Sequence, residues 1–262
     1  MKFSCSNLAW NIDQESSCLD FLKHTNITAI EVAPTIIWPN WENATIKNAI
    51  AYATNLNNLG FEISAMQAIV YGLDFHSIFL KEDQEKLLNH LEFVSDLAGA
   101  MNINTVVFGA PKLRYTNLPF EVAIDSVGRF FEKIANLFHQ NNSCFCIEPC
   151  TEKYGCNFVI NTNQALQLID FVNSDGFGLH IDLASMIESG DDISKIDTKM
   201  LQHFHISMPN LSEFYGDQSS LISALNFLQN NNYSKWCSVE MLNSKIPMLN
   251  RGPWEILKRF QL

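Results

Sequence analysis

Four short apolar runs in the second half of the chain each carry, at or near their end, a side chain able to hold a cation or move a proton. They are Cys144-Phe-Cys-Ile-Glu148-Pro149, Phe177-Gly-Leu-His-Ile-Asp182, His203-Phe-His205-Ile and Ser238-Val-Glu240. In a β-strand successive side chains alternate between faces. Alternation places Glu148, Asp182, His205 and Glu240 on one face and Phe145, Ile147, Leu179, Ile181, Phe204, Ile206 and Val239 on the other. Each of the four polar residues, taken singly, has a packing explanation such as a helix cap, a loop hydrogen bond or a salt bridge. Together they are hard to explain by packing, because three clustered carboxylates repel one another unless a cation is among them. An oxygen-rich set with one imidazole suits Mn²⁺ or Mg²⁺, with Co²⁺, Fe²⁺ or Zn²⁺ as alternatives. The expectation is one divalent metal ion held by Glu148, Asp182, His205 and Glu240.

His180 and His203 lie two residues before Asp182 and His205 and face the same interior one layer down. Core packing accounts for them; for His180 the preferred reading is support of a metal ligand through its ring N–H.

These residues need elements to carry them, and the chain supplies a regular alternation. Strand-like runs at Phe3–Ser6, Thr28–Val32, Phe61–Gln67 and Asn104–Gly109 precede helical patterns at Gln14–His24, Trp41–Leu59, Glu82–Met101 and Pro119–Asn141. Leu87, Leu88, Leu91, Val94 and Leu97, and then Val127, Phe130, Phe131, Ile134 and Phe138, recur at helical spacing. The four polar-ended strands are followed by Thr162–Val172, a weaker segment between Ala184 and Met200, Gln218–Gln229 and Pro253–Phe260. Gly60, Gly176, Asn141-Asn142 and Asn230-Asn231-Asn232 fall where helices should stop. Eight strand–helix units require parallel pairing with right-handed crossovers. No Gly-rich turn follows the first strand, as an open dinucleotide-binding sheet would favour. The expected fold is therefore α/β, a single (β/α)8 TIM barrel domain over residues 1–262. Active sites of such barrels form at the C-terminal strand ends, where the four candidates lie.

Composition agrees. A chain with 47% hydrophobic and 17% charged residues can bury a large core. A net charge of −11 with no basic patch argues against a nucleic-acid partner. No apolar run approaches a membrane span, and Met1-Lys-Phe-Ser-Cys enters a strand pattern without the sections of a signal peptide. Seven scattered cysteines, mostly inside apolar strands, read as small buried side chains in a reducing cytoplasm.

The motifs resemble those of the sugar isomerase/epimerase superfamily of xylose isomerase-like barrels, in particular its ketose 3-epimerase and hydroxypyruvate isomerase branch. The similar segments span the chain: Ile30-Glu31-Val, Met66-Gln67-Ala-Ile-Val-Tyr71-Gly72, Val107-Phe-Gly-Ala-Pro-Lys112-Leu-Arg114, Ile147-Glu148-Pro, Gly178-Leu-His-Ile-Asp182, Phe204-His205-Ile-Ser and Ser238-Val-Glu240-Met. The resemblance implies that Glu148, Asp182, His205 and Glu240 hold a metal, commonly Mn²⁺, that the two glutamates also act as acid and base, and that dimers or tetramers are usual. There are departures. Ser185 stands where members often carry a substrate-binding histidine, and Met208-Pro209-Asn210-Leu211 runs where many carry an arginine.

The expected activity is isomerisation or epimerisation of a sugar or sugar phosphate by proton transfer through an enediolate that the metal stabilises. Glu148 and Glu240, three strands apart round the ring, would flank the substrate. Lys112 and Arg114 are candidates for capturing a phosphate or carboxylate, and Gln67 and Glu31 for meeting hydroxyls. Tyr71 and His76 are candidates for a covering loop, and Trp10, Trp38 and Trp41 for stacking on a sugar or for packing. Competing readings are a polyol-keto dehydratase, a degenerate sugar-binding barrel, and an endonuclease-IV-like DNA-repair enzyme. The last is disfavoured by the acidic charge and by Gln67 at the end of the third strand.

Overall fold

The computed structural model describes residues 1–244 and 247–261. Eight parallel strands close on themselves in sequence order. They are β1 (Lys2–Ser6), β2 (Ala29–Val32), β3 (Glu62–Met66), β4 (Thr105–Phe108), β5 (Cys144–Ile147), β6 (Phe177–Asp182), β7 (Leu201–Ile206) and β8 (Trp236–Val239). Around them lie α1 (Glu15–His24), α2 (Pro34–Ile37), α3 (Ile46–Asn58), α4 (Lys81–Ala100), α5 (Phe120–Gln140), α6 (Thr162–Val172), α7 (Leu183–Ser189), α8 (Ser219–Asn230) and α9 (Trp254–Leu257). No described helix is long and apolar enough to cross a membrane.

The outer faces of the strands build the main apolar layer. Phe145 sits 5.1 Å from Phe108, 5.1 Å from Phe138 of α5 and 6.1 Å from Phe177, ring centroid to centroid. Such aromatic contacts bury large areas between sheet and helix. The helical rows expected on α5 are all buried. The helix ends follow turn chemistry: Asn26, Asn102, Asn142, Asn173 and Asn232 all take left-handed φ at or just after the ends of α1, α4, α5, α6 and α8. Gly176 behaves differently. Its φ is not positive, and a Cβ there would lie 2.1 Å from the Ala135 carbonyl oxygen, so it is the close approach of α5 that requires glycine.

Three helical expectations are shortened. Trp41–Leu59 becomes a single 3-10 turn at Trp41–Asn43 and then α3, whose start is fixed by Thr45 Oγ1 accepting from Asn48 N at 3.2 Å. The segment from Ala184 to Met200 is helical only to Ser189, with Gly190 in the left-handed conformation as its C-cap. The last helix covers only four residues, Trp254–Leu257.

The interior is polar where many barrels stack branched apolar residues. Ser4, Ser6, Glu31, Gln67, His180, His203, His205 and Ser238 are all buried. Two irregularities tune its facing. Ile30 pairs with Ile63 but Glu31 with Ala65, and Leu179 pairs with Leu201 but His180 with His203. Each skips one residue, Ser64 or Gln202. A one-residue slip reverses which face a side chain meets, so Leu201 packs outward while His203 faces in.

Candidate active site

The register brings the four expected side chains to one end of the barrel. Asp182 closes β6 directly opposite His205 on β7, and His205 in turn pairs with Ser238, two residues before Glu240. Glu148 follows β5, its backbone N donating to the Phe108 carbonyl at 3.1 Å. Asp182, His205 and Glu240 each offer a donor atom within 4.8 Å of the other two. Glu148 does so with His180 and His205. The four therefore meet as two triads sharing His205, not as one equidistant set.

Asp182 and His205 are fixed from behind by hydrogen bonds. Asp182 caps α7, with Oδ1 accepting from Ser185 N at 2.7 Å, and the Ser207 hydroxyl donates to its Oδ2. Ser207 Oγ is itself held by Ala184 N at 3.0 Å. His205 Nε2 lies 2.9 and 3.0 Å from the two oxygens of Glu31. Its Nδ1 faces Glu240 Oε2 at 3.2 Å, is buried, and makes no hydrogen bond. Behind Glu148, Gly109 leaves no room for a side chain, since a Cβ there would come within 2.5 Å of Glu148 Oε2.

The electrostatics show what the cluster lacks. Burial, then the charges of Asp182 and Glu240, push the Glu148 carboxyl up to about 8. Burial and Glu240 also raise Asp182. Burial opposes a charge on His205, yet the carboxylates of Glu240 and Glu31 outweigh it and hold the imidazolium well above its usual range. Burial likewise opposes a charge on Glu31, but His205 and His203 keep it well below the carboxylate range. Three carboxylates crowd one imidazole whose free nitrogen points among them. That donor set, hard oxygens with one imidazole nitrogen facing them, fits a divalent cation.

The site opens into a cavity of about 450 Å³ at the C-terminal mouth. Gln67 and Ser185 line it together with Glu148, Asp182 and Glu240. Gln67 Nε2 donates to Ser6 Oγ at 2.9 Å, which leaves its carbonyl oxygen free to face the cavity. A second cavity, about 460 Å³, lies at the opposite mouth between Lys2, Ser64, Gln202 and Lys235 and contains none of the expected residues.

Several expectations are corrected. Arg114 is fully buried. Its guanidinium donates to the carbonyls of Glu148 (2.9 Å), Phe158 (3.2 Å) and Val159 (3.1 Å), so it ties the loops after β4 and β5 together and is not available to an anion. Lys112 is exposed on a 3-10 turn and does not line the cavity. Glu31 is fully buried against His205 and does not line the cavity. His180 packs edge-on to the His205 ring, centroids 4.1 Å apart, but neither ring nitrogen makes a hydrogen bond, so it supports no ligand in that way. Trp10 is buried, Trp38 packs edge-on to Tyr52, and Trp41 donates to the Tyr71 carbonyl at 2.9 Å while stacking edge-on to His90; none lines the cavity. Tyr71 is 71% exposed and His76 pairs loosely with Asp83 at 3.8 Å.

Sequence reasoning passed over Ser207, Cys150 and Tyr154 and read Met208 only as part of a departure from the family pattern. Ser207 and Cys150 stand two residues beyond His205 and Glu148, so alternation alone placed them on the site's face. Tyr154, its phenol pushed up to about 12 by burial and Glu188, and Met208 come from loops whose paths alternation does not specify. All seven cysteines are unpaired, and only Cys18 is not buried.

The profile of the xylose isomerase-like TIM barrel family matches residues 19–258, and the chain belongs to that family. No curated protein matches the sequence. Among solved structures it is similar to 3-keto-D-glucoside 4-epimerase, YcjR, from E. coli, with 13% identity, TM-score 0.79 and 100% of each chain covered. It is also similar to D-psicose 3-epimerase from Clostridium cellulolyticum H10, solved with D-tagatose: 10% identity, TM-score 0.74, 99% of this chain and 95% of the other. The IolI protein with a bound zinc atom aligns at 16% identity and TM-score 0.73 over 98% of this chain and 94% of the other. At these identities the shared property is the fold.

Proposed function

We propose that this xylose isomerase-like barrel is a divalent-metal-dependent isomerase or epimerase of an uncharged sugar. The observation that carries the reading is that Glu148, Asp182 and Glu240 line one cavity while His205 Nδ1 faces Glu240 Oε2 behind it at 3.2 Å. Those four residues would hold the ion, Mn²⁺ by donor type; when bound, it would polarise a carbonyl and its neighbouring hydroxyl and offset the charge of an enediolate. Proton movement falls to the two glutamates. The loops after β5 and β8 present Glu148 and Glu240 from different sides of the mouth, as a base and an acid flanking a substrate carbon must stand. Without the ion, burial and the charges of Asp182 and Glu240 raise Glu148 to about 8, a cost that a bound cation would relieve.

The cavity wall favours a neutral substrate. Among the described residues no Lys or Arg lines it. Gln67, Tyr154, Ser185 and Asn210 can meet hydroxyls, and Val107, Met208 and Leu211 give one apolar flank. A phosphate or carboxylate would enter a mouth already holding three carboxyl groups with no described cation to receive it.

The test is metal analysis of the purified protein followed by deuterium wash-in from D₂O across neutral ketoses, ketose phosphates and hydroxypyruvate. Metal-dependent exchange into a neutral ketose is expected, and the labelled carbon separates isomerase from epimerase. Absence of exchange with every neutral ketose overturns the proposal, and loss of water from a keto-polyol would favour a dehydratase instead.

A further inference from the structure

Resting on the metal-site reading above, we propose that Glu31 is a positioning residue: it fixes the ring of His205 so that Nδ1, and not Nε2, is presented to the metal. The side chain reaches across the barrel interior from β2 to β7, strands separated by β1 and β8 in the closed order. Both its oxygens lie on His205 Nε2, at 2.9 and 3.0 Å, and Oε1 also lies 3.4 Å from His203 Nε2. Glu31 and His203 are fully buried, and among the described residues these two imidazoles are the only charge-bearing partners Glu31 contacts.

A carboxylate can only accept, so the His205 nitrogen facing it must carry a proton. The opposite nitrogen, Nδ1, faces Glu240 Oε2 at 3.2 Å and is the one a metal ion would take, displacing its proton. Without Glu31 the ring loses what selects that tautomer and what stops it from turning in its slot. A buried carboxylate is expensive to keep, and replacing such a group by an apolar residue is often neutral or stabilising. Its placement behind the one nitrogen donor of the metal set matches the arrangement in which a carboxylate orients a ligating histidine and raises its basicity.

The experiment compares Mn²⁺ affinity of the full chain with that of Glu31→Gln and Glu31→Ala, by calorimetry and by the Mn²⁺ paramagnetic resonance signal. The Gln variant keeps one acceptor oxygen and is expected to bind about 10-fold more weakly, and the Ala variant up to about 100-fold more weakly. Equal affinity in all three overturns the proposal, as does a second Mn²⁺ per chain lost with Glu31, which would make Glu31 a ligand. A separate readout needs neither metal nor variant stability. In ¹⁵N-labelled wild-type protein the His205 Nε2–H proton is expected far downfield and slow to exchange, and its absence overturns the proposal. Should the wild-type chain bind no Mn²⁺, Zn²⁺ or Co²⁺, the metal-site reading fails while the ring-proton signal still decides whether Glu31 orients His205.

Discussion

Glu31 and His205 stand 174 residues apart in the chain and meet inside the barrel, with His205 Nε2 2.9 Å from Glu31 Oε1. That contact joins two non-adjacent strands and leaves His205 Nδ1 facing Glu240 at 3.2 Å. The polar face of the site is thus set by a residue at the other side of the interior.

Glu148→Gln and Glu240→Gln remove a proton carrier while keeping side-chain shape. Each is expected to lower solvent-deuterium exchange into substrate by about 100-fold or more, the usual contribution of a positioned acid or base. Glu240→Gln is expected also to weaken Mn²⁺ binding, because Glu240 belongs to the triad with Asp182 and His205. Exchange rates measured by NMR in D₂O, with metal analysis of each variant, check both.

Gly109→Ala probes the same site without touching a charged group. The added Cβ would meet Glu148 Oε2 at 2.5 Å, the far end of a side chain that can swing away. The fold should survive, with the melting temperature within about 4 °C of wild type. Activity should fall sharply, because the displaced carboxylate no longer faces the substrate. A thermal melt beside a turnover assay separates the two effects.

Stability of the metal-free protein should decline from about pH 6.5 to 8. Glu148, Asp182 and His205 all have folded-state affinities for protons above those of the unfolded chain. Over this window the folded state holds protons the unfolded state has released, so raising the pH favours unfolding. Glu31 and His180 shift downward and contribute little there, since both titrate at lower pH. Glu148→Gln should flatten the slope, and added Mn²⁺ should raise the melting temperature most at pH 8, where the carboxylates are free to bind it. Melts at several pH values, with and without a chelator, give the answer.

Arg114→Ala should act on stability and not on anion recognition. It strips three buried carbonyls of their donor and leaves a cavity, a loss of about 3 kcal/mol or more. Arg114→Lys should recover little, because a single ammonium cannot reach three acceptors as a guanidinium fork does. Chemical denaturation measures both variants, and the preference for neutral over phosphorylated ketoses should be unchanged.

Much of this protein was legible in the sequence because two short-range rules sufficed. Alternation along strands of four to six residues decides which side chains share a face, and Glu148, Asp182, His205 and Glu240 obeyed it. Helical periodicity on α4 and α5 identified the faces they bury against the barrel, and eight alternating units left closure into a barrel as the economical arrangement. What the sequence could not decide were relationships between segments. Arg114 reads as a loop cation until the β4 and β5 loops fold round it and offer three carbonyls. Glu31 reads as a substrate contact until β7 brings two histidines against it. Ser64 and Gln202 look like ordinary strand residues, yet the register skips them. Local alternation is written in covalent geometry, whereas the partner of a buried charge is settled only when distant strands close the ring and each polar group takes the nearest atom that repays its lost water.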